Sequence, residues 1–131
     1  MLDSVRTLAD LLARDGVTIE DLVTQLGGES NDTGANVLVD PTGLAGVARA
    51  DIVRIRSGVD VPAHLKLELD EPEPLEPLEA VLGEPARVRP DHRGQPVQLV
   101  YPNPLVNGSR QITLIANVAD DGARTLILRR D

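Results

Sequence analysis

Apolar residues at the start of the chain recur at helical spacing. Val5, Leu8, Leu11 and Leu12 fall on one face of a segment spanning 2–15, with Asp3 or Ser4 as its cap and Gly16 as its stop. A second helix follows directly, with Ile19, Leu22, Val23 and Leu26 as its apolar face. Thr18 stands three residues before Asp21, a capping-box spacing, and Gly27-Gly28 ends the run. The polar stretch 28–36 reads as loop.

From residue 37 the period falls from 3.6 to 2. Val37-Leu38-Val39 predicts a short strand that stops at Asp40-Pro41. Between Asp51 and Arg56, Val53 and Ile55 lie on one side and Arg54 and Arg56 on the other. Leu65, Leu67 and Leu69 alternate with Lys66, Glu68 and Asp70, the mark of an antiparallel sheet with one wet face. Asp70-Glu71-Pro72-Glu73-Pro74-Leu75-Glu76-Pro77 is acidic and proline-rich, so a stiff connector is expected there rather than a strand. It leads into a third predicted helix over 75–83 that carries Leu75, Leu78, Val81 and Leu82. Further strands are expected near 86–89, 97–101, 110–118 and 123–130. Turn signals at Asp91 to Gly94, Asn107-Gly108 and Asp120-Asp121-Gly122 separate them.

The order of elements repeats. Ile19, Leu22, Leu26 and Gly27 match Leu75, Leu78, Leu82 and Gly83 at a spacing of 56. At a spacing of 60, Ile52, Ile55, Asp60 and Ala63 fall on Ile112, Ile115, Asp120 and Ala123. The expected fold is therefore α+β with two similar halves, residues 1–71 and 72–131. Each half would pack one or two short helices on a three- to four-stranded antiparallel sheet, the pair forming one compact unit.

A short helix with Leu-x-x-x-Leu-Gly-x-Pro followed by a meander resembles the repeat of the SmpA/OmlA outer-membrane assembly family. It is also similar to the tandem-repeat beta-lactamase inhibitor proteins. The residues that carry the resemblance are Gly16-Val17-Thr18 and Leu22 to Gly27, then Leu78 to Gly83 with Pro85, and Val100-Tyr101. The resemblance implies a fold and protein binding as a class. It carries over no contact residue, because the lipid-attachment cysteine of the first family and the disulfides and sheet aromatics of the second have no counterpart here.

Composition narrows the chemistry. Leu, Val and Ile make up 40 of 131 residues, enough for a true core. There is no Cys, which removes disulfides, thiolate metal sites and cysteine nucleophiles. Tyr101 is the only aromatic residue, so neither stacking platforms for single-stranded nucleic acid nor aromatic cages are expected. A net charge of −8 is repelled by phosphate backbones and anionic membranes and suits a basic protein partner. No apolar run approaches the length of a membrane span, and Met1 to Arg6 does not read as a signal peptide, so a cytoplasmic protein is expected.

No catalytic residue, cofactor or metal site is expected. His64 and His92 are the only histidines and lack ligand spacing. Ser4, Ser30, Ser57 and Ser109 have no nucleophile-elbow context. Asp120-Asp121 belongs to a turn signal, and no glycine-rich phosphate loop is present. What remains is a binding surface. Tyr101 and Leu105 flank a loop stiffened by Pro102 and Pro104. They would anchor a partner at its tip, or else Tyr101 packs at the core edge. Arg54 and Arg56 would add a cationic stripe on the wet face, joined by Arg87 and Arg89, or else would pair with neighbouring carboxylates.

The function expected from the sequence is a non-catalytic protein-binding module, such as an inhibitor, an immunity-type protein or a chaperone. The alternative is a small-molecule binder or enzyme with an NTF2-like cone-shaped pocket. A homodimer through the C-terminal strand as an exposed edge is a third reading.

Overall fold

A computed structural model describes residues 2–42, 46–74, 86–88, 97–101, 112–119 and 122–130. Helix α1 (Leu2–Leu12) and helix α2 (Ile19–Leu26) come first, followed by strands β1 (Glu29–Asp32), β2 (Asn36–Asp40), β3 (Val47–Arg54) and β4 (Pro62–Glu73). Strands β5 (Ala86–Val88), β6 (Val97–Tyr101), β7 (Ile112–Ala119) and β8 (Gly122–Arg130) complete the described elements. All pairings are antiparallel, and one sheet runs β1-β2-β3-β4-β8-β7-β6-β5.

The capping box forms as its spacing predicts. The Asp21 backbone N–H donates to Thr18 Oγ1 at 3.2 Å, and the Thr18 N–H donates to Asp21 Oδ2 at 3.0 Å. A second acceptor arrives from the β3–β4 connection, where Asp60 Oδ1 takes the Ile19 N–H at 3.1 Å. Two carboxylates thus meet the positive end of α2, and the helix is tied to a loop 41 residues away.

The core is a helix layer on one sheet face. From α1 it receives Val5, Leu8 and Leu12, and from α2 Ile19, Leu22 and Leu26. The sheet supplies two cross-strand rows. One runs Val37, Ile52, Leu65, Leu128, Leu114, Tyr101; the other runs Val39, Ala50, Leu67, Leu126, Ala116, Leu99. Every residue in both rows is buried. Each fully buried large aliphatic contributes about 1.5–3 kcal/mol relative to exposure, so these rows are the main source of stability.

Four expectations are corrected. The helix-on-sheet halves do not occur: both described helices precede β1, strand outweighs helix by more than two to one, and a single sheet runs through both segments. The join is β4 to β8, with Leu65 opposite Leu128 and Leu67 opposite Leu126. Pairing there removes two edges that separate sheets would leave open. The expected third helix over 75–83 lies outside the described residues.

Residues 29–32, expected as loop, form β1. Its sequence has poor strand propensity, but a tight turn recruits it: the Thr33 N–H donates to the Asn36 carbonyl at 2.8 Å, and Gly34 takes φ +94°. The connector expected at 70–77 is partly strand, because β4 runs on to Glu73. Pro72 is accommodated where the ladder breaks, between the pairs Glu68–Thr125 and Glu73–Ala123. The position chosen to divide the halves therefore falls inside β4. Finally, the C-terminal strand is not an edge: β8 lies between β4 and β7, and the described edges are β1 and β5.

Candidate functional site

The sheet face turned away from the helices carries the residues between the two buried rows. Its middle row runs Leu38, Asp51, Lys66, Ile127, Ile115, Val100. The row changes character along its length. Across β3 and β4 it is charged, whereas across β8, β7 and β6 it is aliphatic, with Ile127, Ile115 and Val100 each half-buried. On one side lie Asn36, Val53, His64, Arg129 and Thr113; on the other lie Arg49, Glu68, Thr125, Asn117 and Gln98. Gln98 Nε2 donates to Asn117 Oδ1 at 3.2 Å, bordering the aliphatic strip with a fixed amide pair.

Asp51 accepts from Asn36 Nδ2 at 3.1 Å through Oδ2, while its Oδ1 is buried without a hydrogen-bond partner. His64 on the neighbouring strand is half-buried. That burial pushes its pKa below the ordinary imidazole value, with the Asp51 charge opposing the shift and Arg129 adding to it. Among the described residues no group of three or more His, Asp or Glu side chains is placed to hold a metal ion.

At the β1 end of the same face lies a shallow open depression of about 380 Å3, lined by Glu29, Ser30, Asn31, Leu38, Asp40 and Arg49. Leu38 is among the few large aliphatics exposed in the described structure, at 36%. On the helix-facing side of the sheet the described residues form an aliphatic core.

The sequence-derived binding residues are not brought together. Tyr101 is 1% exposed and sits in the core beside Leu114, so it offers no apolar tip; the packed alternative is the one the fold adopts. Its strand position puts it on the helix-facing side, in line with Leu99 two residues earlier. Leu105 lies outside the described residues. Arg56 is exposed, beyond the end of β3.

Arg54 does not join a cationic stripe. Its Nη1 and Nη2 donate to Asp32 Oδ1 and Oδ2 at 2.7 and 2.8 Å, Nη1 also to the Gly34 carbonyl at 3.0 Å, and Nε to the Val59 carbonyl at 3.1 Å. The guanidinium fork thus clamps the β1–β2 turn to the β3–β4 turn. The side chains of 86–89 fall outside the description.

The clamp gives a pH prediction. The hydrogen bonds from Arg54, then the Gly34 N–H, hold the Asp32 carboxyl down at about 2, from an ordinary 3.8. A depressed carboxylate pKa stabilises the fold above the unfolded value, and that contribution is lost as pH falls through the folded one. Asp32→Asn is expected to lower Tm at pH 7, and the gap from wild type should close between about pH 4 and 2. Arg56→Ala should leave Tm unchanged at every pH. Thermal unfolding followed by circular dichroism over that range checks both, and a gap as wide at pH 2 as at pH 7 would refute the ionic origin.

The strip Val100, Ile115 and Ile127 was not singled out by sequence reasoning. Its signal is the loss of alternation. Leu114-Ile115-Ala116 and Leu126-Ile127-Leu128 are continuous apolar runs, unlike Leu65-Lys66-Leu67 on β4. Such runs mark strands that carry apolar side chains on both faces.

No protein-family model matches the chain, and no curated protein or solved structure is significantly similar to it. The resemblance to the SmpA/OmlA and inhibitor repeats therefore rests on the motif residues alone. Among the described residues no helix is long and apolar enough to cross a membrane.

Proposed function

We propose that this chain is a non-catalytic protein-binding module whose contact surface is the sheet face turned away from the helices. One observation carries the reading: Val100, Ile115 and Ile127 form an aliphatic strip on the side of the sheet opposite the helices. A face with nothing to bind would continue the polar alternation of β4. An aliphatic centre inside a polar rim is the anatomy of an interface core. The partner is a protein with an apolar ridge that meets this strip, and the chain's net charge of −8 favours one that is basic overall.

The test places a photo-crosslinking residue at position 115, and as a control at Gln25 on the exposed side of α2. It pairs them with the variant Ile127→Lys. A partner captured from the source lysate is expected to crosslink from 115 and not from 25. Ile127→Lys should weaken it about 30-fold, the effect of losing a central anchor of about 2 kcal/mol, while circular dichroism shows an unchanged fold. Capture that survives Ile127→Lys, or crosslinks only from 25, would overturn the reading. A crosslink solely to a second copy of the chain would replace it with homo-oligomerisation.

A further inference from the structure

The edge of the sheet at β1 forms a second surface, independent of the aliphatic strip. Among the described strands β1 pairs only with β2, and all four of its residues are exposed. Its ladder alternates. The Thr33 N–H to Asn36 carbonyl bond fixes the phase, so the main-chain groups of Asn31 and Glu29 turn toward β2 and those of Ser30 and Asp32 turn outward. The outward groups are a template for one more strand. Lysine and proline, common guards of exposed edges, do not occur in Glu29-Ser30-Asn31-Asp32.

Beside this edge lies the depression described above. Its lining includes the aliphatic side chain of Leu38, two carboxylates, Glu29 and Asp40, and one guanidinium, Arg49. The combination selects by charge. It repels an acidic strand and favours one with cationic side chains, whose methylene stems match Leu38 and whose heads match Glu29 and Asp40.

We infer that the β1 edge takes up an extended segment of a partner protein, bearing Lys or Arg at alternate positions, by strand addition. Backbone bonds to Ser30 and Asp32 hold the segment, and the Glu29–Leu38–Asp40 depression receives one of its basic side chains.

The experiment titrates the isotope-labelled full chain with the acetylated, amidated peptide Lys-Val-Lys-Val-Lys at low salt, and with Glu-Val-Glu-Val-Glu as the charge-reversed control. Saturable amide shifts and slowed hydrogen exchange are expected at Ser30 and Asp32, with Leu38 methyl shifts, for the basic peptide only. Asp40→Lys should weaken binding about tenfold with an unchanged amide spectrum elsewhere, and the milder Asp40→Asn should fall between. Shifts scattered over all acidic residues, equal binding of the acidic peptide, or no shift at β1 would each overturn the inference. Ile127→Lys should leave this titration unaltered, so failure here and failure of the strip are separable.

Discussion

Leu128→Ala is expected to cost about 3–4 kcal/mol, within the range of 2–5 kcal/mol seen for buried leucine truncations. Leu128 is fully buried at the centre of the sheet, flanked by Leu65 on β4 and Leu114 on β7. Regular strands on both sides hold these neighbours in place, so the vacated volume cannot be filled by a small shift, and the cavity contribution stays high. Against a total stability of about 5–15 kcal/mol, the loss is severe. It should appear as a fall in Tm of roughly 10–15 °C for a chain of this size. Gln25→Ala, on the exposed side of α2, should change Tm by no more than a degree or two, corresponding to about 0.5 kcal/mol. Urea unfolding of the three proteins side by side is the measurement. A Leu128→Ala loss no larger than that of Gln25→Ala would mean that the two cross-strand rows are not the core.

Gly28→Ala is the second large effect, and Gly16→Ala is its internal reference. The two glycines share almost the same positive φ, +79° and +78°. An L-residue held there costs about 1–2 kcal/mol. They differ in surroundings. A Cβ at Gly16 meets nothing within 4 Å, whereas at Gly28 it would lie 2.0 Å from the Asp40 carbonyl oxygen. That oxygen belongs to the backbone, and Asp40 is paired with Glu29, so it cannot swing aside without parting β1 from β2. Gly16→Ala should therefore show the conformational cost alone. Gly28→Ala should exceed it and reach about 3 kcal/mol, with hydrogen-exchange protection lost across the β1–β2 ladder. Equal losses for the two variants would show that the close approach to Asp40 has no energetic weight.

What could be read from the residues followed local physics. The Thr18–Asp21 box, the period of Ile19, Leu22 and Leu26, and the alternation of Leu65, Leu67 and Leu69 each contain their own instructions within a few positions. They appear as α2 and β4. Strand β6 has the bounds read from its sequence, and β8 lies within a residue of them.

What escaped was non-local. Nothing in Thr125 to Arg130 says that β8 will pair with β4 rather than end the sheet. Nothing in Glu29 to Asp32 announces a strand, because its order is imposed by the Thr33–Asn36 turn and the ladder to β2. The same distinction explains the candidate site. Arg54 was open to two readings, a cationic stripe or pairing with carboxylates, because its partners, Asp32 and Gly34, are about 20 positions upstream and reach it only once two hairpins lie side by side. Tyr101 was open to two readings, a loop tip suggested by its neighbouring prolines or packing at the core edge, and its parity with Leu99 decides for the core.

The β4–β8 join also sets the order of assembly. Every other described strand pair links chain neighbours through a hairpin or a single connection, whereas His64 meets Arg129 across 65 positions. Closing that loop costs more chain entropy than any other step in the sheet. Until it closes, Leu65 and Leu67 lie on a strand with one open edge, and so do Leu126 and Leu128. The nascent protein thus passes through a period when its most apolar backbone edges are open to any strand of another molecule. The quality of folding in a crowded setting is decided at this late central seam, not at the short acidic strand that forms the edge of the finished sheet.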